Sequence, residues 1–358
     1  MKNIMKKNNY NYVISSLYGI VHALIDCTCA ISIFGGIRHN FNISEFAFWV
    51  VMYNLIAFVL QPVIGWYTDK YKKYRLFAIM GCVFVVFGAC ITFTGWVSVI
   101  VFAFGNALFH VAAGSICLTL HKGKTAFVGI FTAPGDIGLV VGTLIGKNFV
   151  ISPITVFWLS ISFLMSIFLI LIIENKNKTF LKSETIKYSE INSKLIGLTV
   201  LFLCIVIAIR AFIGSAAGFS WLEGALLAII LSVFISLGKA VGGIFADKFG
   251  CRLIGVTALL ISAPLLAFLH NNVIVSLISI FIFNMTMPLT MTAIFDKIPE
   301  YPAFSFGIAA MALIPGFYAG NILYVNRIVL SLIIILAAII LYYALSLQGK
   351  RGVKVDKN

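Results

Sequence analysis

A chain of 358 residues that is 61% hydrophobic and only 11% charged carries more apolar surface than a water-soluble fold can hide, because soluble domains are about half apolar and about a quarter charged. With a mean hydropathy of +1.06, its solvent is expected to be a bilayer. The formal charge of +14 comes from 26 Lys+Arg against 12 Asp+Glu. That balance would suit nucleic acid or an anionic surface, but the basic residues lie between apolar runs and the aromatics lie inside them, which argues against a nucleic-acid interface.

The apolar runs predict twelve helices, at 12–35, 45–66, 75–94, 96–120, 126–147, 152–173, 194–218, 222–246, 252–269, 273–294, 303–323 and 326–347. Each approaches the ~20 residues that cross a hydrocarbon core. Tight turns are needed near Gly95 and Asn271, since fusing either pair would give a single helix far too long. The first run is full length and carries polar residues, unlike the h-region of a cleavable signal peptide. Nearly all Lys and Arg fall in alternate connections, among them Lys70, Lys72, Lys73 and Arg75, then Lys122 and Lys124, and both termini. The other side keeps only Arg38, Lys147 and Arg327. The positive-inside rule then places the N and C termini in the cytoplasm.

Residues 174–193 are polar and charged, unlike their surroundings, and read as a cytoplasmic linker between a bundle at 1–173 and a second at 194–358. The halves repeat at a constant offset of 178 residues: Gly65, Asp69 and Lys70 map to Gly243, Asp247 and Lys248, Asn106 to Asn284, and Gly129 to Gly307. Two repeats of the same orientation are related by an axis along the membrane normal. The expected fold is therefore an all-α membrane protein of two pseudo-symmetric six-helix bundles.

The second helix ends Gly65-Trp66-Tyr67-Thr68-Asp69-Lys70-Tyr71-Lys72-Lys73, and the eighth ends Gly243-Ile244-Phe245-Ala246-Asp247-Lys248-Phe249-Gly250-Cys251-Arg252. The small residue admits a neighbouring helix. The Asp sits at a helix C-terminus, which repels it, so Asp69 and Asp247 need a cation or a helix N-terminus from the facing bundle. The pattern resembles the G-x-x-x-D-[RK]-x-G-[RK] motif of the major facilitator superfamily, with Lys72 replacing its second Gly in the first copy. The resemblance implies a cytoplasmic latch of Gly65, Asp69, Lys70, Gly243, Asp247, Lys248 and Arg252. Within the superfamily, Leu60-Gln61-Pro62, His22-x-x-x-Asp26 and Gly105-Asn106-Ala107-Leu108-Phe109-His110 resemble the fosmidomycin-resistance type. Val111 departs from its Phe-His-Pro, and Ala133-Pro134-Gly135-Asp136 departs from its fifth-helix Gln and paired Gly. That resemblance implies proton-coupled export as a class, without a substrate.

A charge at bilayer depth costs at least about 2.5–3.5 kcal/mol, so Asp26, Asp136, Arg210 and Lys239 are functional candidates. In the superfamily's architecture the first, fourth, seventh and tenth helices line a central cavity. Here they carry His22 and Asp26, Asn106 and His110, Arg210, and Asn284. Asp26 is the expected proton-coupling carboxylate, relayed by His22, with Arg210 approaching and leaving as the cycle turns; a static Asp26–Arg210 pair is the alternative. Arg210 and Lys239 have the charge to hold an organic anion, and Lys239 is also placed to pair with Asp136. Pro134-Gly135 before Asp136 frees backbone groups at depth, as a gating bend or a plain cavity-lining kink.

Gly138, Gly142 and Gly146 read as close helix packing. Cys27, Cys29, Cys82, Cys90, Cys117, Cys204 and Cys251 lack zinc-site spacing, so no metal or cofactor is expected. Without a G-x-x-x-x-G-K-[ST] run or a nucleophile–base arrangement, ATP-driven transport and enzymatic activity are not expected. The chain reads as a monomeric multi-pass protein of the cell membrane that exchanges protons for a small organic or drug-like solute. A proton symporter importing an organic anion is the second reading. A non-transporting receptor on the same fold is the third.

Overall fold

The computed structural model describes residues 2–121, 123–150, 159–160, 163–164 and 193–347. All regular structure among them is helical, as lipid demands of open chains: backbone N–H and C=O groups must be satisfied within the segment. We number the helices α1 (Tyr10–His39, its first turns beginning at Lys2), α2 (Ile43–Tyr71), α3 (Tyr74–Cys90), α4 (Trp96–Thr119), α5 (Ala126–Asn148), α6 (Lys194–Ala216), α7 (Gly224–Phe249), α8 (Cys251–Phe268), α9 (Val273–Lys297), α10 (Pro302–Ile322) and α11 (Arg327–Ser346). All but α3 are both long and apolar enough to cross a membrane. They match the expected helices in order, with ends shifted by a few residues. The run expected at 152–173 and the linker at 174–193 lie outside the described residues, apart from 159–160, 163–164 and Ser193.

The turns follow local chemistry. Asn42 caps α2, accepting from the Glu45 N–H at 2.9 Å while its own N–H donates to the Glu45 carboxylate, a reciprocal capping box. Asn272 and Asn326 cap α9 and α11 through the same side-chain acceptor. Gly95 ends the α3–α4 turn at φ 64°, where glycine carries no Cβ penalty. The α2–α3 and α7–α8 turns are equivalent by the 178-residue offset: Lys72 stands at φ 54° and Gly250 at φ 94°. The motif's second glycine thus answers a left-handed backbone, and the first half fills that position with a lysine.

Three helices break where proline removes a backbone donor. α9 pauses after Asn284, four residues before Pro288, and α10 after Met311, four residues before Pro315. α2 passes through a π turn at Leu55–Val59 ahead of Pro62. In each, the carbonyl four residues upstream loses its partner. α5, by contrast, stays helical through Pro134.

Glycine sets the close contacts. Gly138, Gly142 and Gly146 of α5 lie against the backbone of Ala23 and Cys27 and against Phe34 and Gly35, so α1 and α5 pack as the four-residue spacing anticipates. Gly316 and Gly320 of α10 repeat the device against Ala208 and Phe212 of α6. Without a hydrophobic drive between helices in lipid, such backbone approach supplies the packing. Phe87, Leu139, Leu332 and Ile339 face outward, whereas Asp69, Arg210 and Lys239 are all less than a tenth exposed.

Candidate functional site

Among the described residues, two polar clusters lie within the spanning helices, and two carboxylates bridge neighbouring helices at one end of the bundle. The first cluster joins α1, α4 and α5. His22 and Asp26 share a face of α1 one turn apart, with Nε2 and Oδ2 3.1 Å apart. His110 of α4 brings its Nε2 to 2.8 Å from the His22 Nε2 and 3.6 Å from Asp26 Oδ1. Asn106, one turn before His110, donates from Nδ2 to Asp26 Oδ1 at 3.4 Å and to the Tyr53 hydroxyl at 3.1 Å.

Backbone carbonyls fix both ring orientations. His22 Nδ1 is 3.0 Å from the Phe131 carbonyl, and His110 Nδ1 is 2.8 Å from the Asn106 carbonyl. A carbonyl only accepts, so each Nδ1 must carry its hydrogen. With both rings neutral, each would turn an Nε2 lone pair toward the other and toward the carboxylate. Three acceptors would then meet without a donor, so the 2.8 and 3.1 Å contacts call for a proton or another positively charged occupant. Gly135 makes the space: a Cβ there would stand 2.5 Å from His22 Nε2 and 2.9 Å from Asp26 Oδ2.

The second cluster joins α5, α6 and α7. Asp136 pairs with Lys239 at 2.5 Å, and Ser236, three residues before Lys239, donates to the Ala133 carbonyl. Arg210 lies over the Phe283 ring at 5.4 Å, in cation–π contact, with Asp136 as an attracting carboxylate. Its Nε has no hydrogen-bond partner among the described residues. The expected Asp26–Arg210 pair is therefore not the arrangement held here: Asp26 is committed to His22, His110 and Asn106, and Arg210 to Phe283 and the field of Asp136. Asn284 donates back to the Ile280 carbonyl of its own helix, as polar side chains do at i−4.

At the end of the bundle that carries the basic turns, Asp69 of α2 accepts from the Ala303 and Phe304 N–H groups at 3.0 and 2.8 Å and from the Tyr74 hydroxyl at 3.0 Å. Asp247 of α7 accepts from the Thr125 and Ala126 N–H groups at 2.6 and 3.2 Å. Each Asp, unfavourable at its own C-terminus, caps the N-terminus of a helix across the bundle. Gly65 and Gly243, one turn earlier, lie against the backbones of Ala303 and Thr125. Ala303 and Thr125 are themselves 178 residues apart, so the two contacts are one design used twice. Lys70, Lys248 and Arg252 bond to neither carboxylate. The two lysines stand over Trp66 and Phe249, and Arg252 donates to the Leu345 carbonyl at the end of α11.

Tyr53, the Phe131 carbonyl and Phe283 carried no sequence signal, because each acts through a neighbour that only packing supplies. The polar pair one turn apart on α1, the helix-depth charges and the small-residue turns were the legible part.

These features fit a multi-pass helical transporter of the cell membrane with a polar interior. The family model described as Major Facilitator Superfamily matches residues 17–313, and the chain belongs to that superfamily. It is 22% identical over 304 residues to the uncharacterized MFS-type transporter YfnC of Bacillus subtilis (strain 168), covering 74% of this chain and 72% of that protein. Its fold is similar to that of a point variant of the E. coli fucose:proton symporter, FucP, with a TM-score of 0.64 at 13% identity over 93% of this chain and 98% of that one. FucP in the outward conformation matches with a TM-score of 0.61, again at 13% identity, over 92% of this chain and 98% of that one.

Proposed function

We propose that this protein is a proton-coupled exporter of a small organic or drug-like solute, working by alternating access, with His22, Asp26 and His110 as its proton site. The observation that carries this reading is the convergence of two Nε2 atoms on one carboxylate. A single added proton turns one imidazole into a donor, satisfies the 2.8 Å contact and balances the Asp26 charge. Loss of that proton leaves three acceptors in mutual repulsion at low dielectric, where such repulsion is strong. Proton occupancy is thereby tied to the packing of α1 against α4 and α5.

In this reading the chain forms two six-helix bundles, 1–173 and 194–358, joined by a cytoplasmic linker at 174–193, and acts as a monomer with both termini in the cytoplasm. Asp69 and Asp247 hold the cytoplasmic end shut in one state of the cycle and release it in the other. Asn106, Asp136, Arg210, Lys239 and Asn284 line the solute path. The His22-x-x-x-Asp26 and Phe109-His110 elements favour kinship with fosmidomycin-resistance-type exporters. A second reading, proton symport that imports an organic anion, is favoured by Arg210, whose Nε, unpartnered among the described residues, suits one arm of a carboxylate or phosphonate fork.

Inverted vesicles with an acidic lumen separate the two. Export predicts that solute accumulates in the lumen as protons leave it, and that Asp26→Asn abolishes the accumulation while the protein still reaches the membrane. Uphill transport that is unchanged in Asp26→Asn would remove Asp26 as the coupling group.

A further inference from the structure

We propose that His22, Asp26 and His110 form a binding site for a divalent transition-metal ion of the zinc type, held by the two Nε2 atoms and one carboxylate oxygen. The donor set is two imidazoles and one carboxylate, which suits zinc and its neighbours better than magnesium or calcium, whose sites are built from oxygen. The ligand atoms lie within 4.8 Å of one another.

The two Nε2 atoms are 2.8 Å apart, and each faces its own oxygen of the Asp26 carboxylate, His22 Nε2 at 3.1 Å from Oδ2 and His110 Nε2 at 3.6 Å from Oδ1, close to the edge of about 3.3 Å that a tetrahedron with zinc–ligand bonds of about 2.0 Å requires. The shell behind them is also that of a metal site: each Nδ1–H is spent on a backbone carbonyl, which fixes the tautomer and aims Nε2 inward. Asn106 steadies the carboxylate from the side. Asp26 keeps 17% of its side-chain surface exposed, so the carboxylate is not sealed behind the imidazoles. Because one positive occupant fills the space at a time, a metal entering displaces a proton and blocks coupling. The metal site stands on the triad's geometry; the block rests on the proton-coupled reading above.

The test uses the full chain in lipid nanodiscs, stripped with chelator and titrated with zinc chloride by calorimetry in two buffers of different ionisation enthalpy. The expected result is one zinc per chain with about one proton released, and affinity weakened by at least about tenfold in His110→Gln. Cobalt(II) bound to the unaltered protein should show d–d bands of nitrogen and oxygen ligation without a thiolate charge-transfer band, a readout that needs no variant. Absence of binding at micromolar zinc, unchanged affinity in His110→Gln, or a thiolate band from Cys29 or another cysteine each overturns the site. Proteoliposomes separate the two claims. Zinc that binds at the triad in a protein whose transport ignores the pH gradient keeps the metal site and removes the proton reading. Proton-driven transport in a protein that binds no zinc does the reverse.

Discussion

Replacing Asp247 with Asn tests the proposed latch at a single side chain. The carboxylate of Asp247 accepts from the Thr125 N–H at 2.6 Å and the Ala126 N–H at 3.2 Å. Asn keeps the shape but offers one acceptor, turns an NH2 group toward a backbone donor and removes the charge that the N-terminus of α5 attracts. Hydrogen bonds to a charged group contribute about 1.5–3 kcal/mol. In the proposed latch, where the closed form alone has these contacts, a loss near 2 kcal/mol shifts the ratio of parted to closed forms by about 30-fold.

The protein carries its own reporter of that shift. Cys251, half-buried, has its Sγ 3.6 Å from the Thr125 hydroxyl across the same interface, so it becomes reachable when α5 and α7 part. Cys90 is exposed at the opposite end of α3 and serves as the control. The labelling rate of Cys251 by a small maleimide should rise by about 10- to 30-fold in Asp247→Asn, with Cys90 unchanged. An unaltered Cys251 rate in a folded Asp247→Asn protein would mean that these two hydrogen bonds do not hold the interface, and the latch argument would fail with them.

Two further outcomes follow from the same geometry. Lys72→Gly should stabilise the protein by about 1 kcal/mol, because a lysine at φ 54° bears a left-handed penalty that glycine avoids, while Gly250→Ala should destabilise by a similar amount; thermal unfolding in detergent reads both. Asp136→Asn should destabilise by about 3–5 kcal/mol by stranding the buried Lys239 ammonium, and adding Lys239→Met should recover much of the loss. No recovery in the double variant would show that the pair contributes more than mutual neutralisation.

The sequence by itself determined the solvent, the helix order, the turns and the two Gly–Asp motifs. Hydrophobic length and the placement of Lys, Asn, Gly and Pro are local facts: Asn42, Asn272 and Asn326 cap helices where they stand, and the breaks in α9 and α10 fall four residues ahead of Pro288 and Pro315. It also placed charge at depth, because Asp26, Asp136, Arg210 and Lys239 are too costly in lipid to face it. Which charges meet was a tertiary decision. Asp26 and Arg210 were both expected mid-way along helices lining one cavity, yet Asp26 sits beside His110, 84 positions away, at 3.6 Å. Depth is a one-dimensional property that a hydropathy pattern carries. The azimuth of each helix is set by where glycines let backbones touch, and Gly138 against Ala23 and Gly135 beside His22 turn α5 so that Asp26 stays with the imidazoles while Asp136 reaches Lys239.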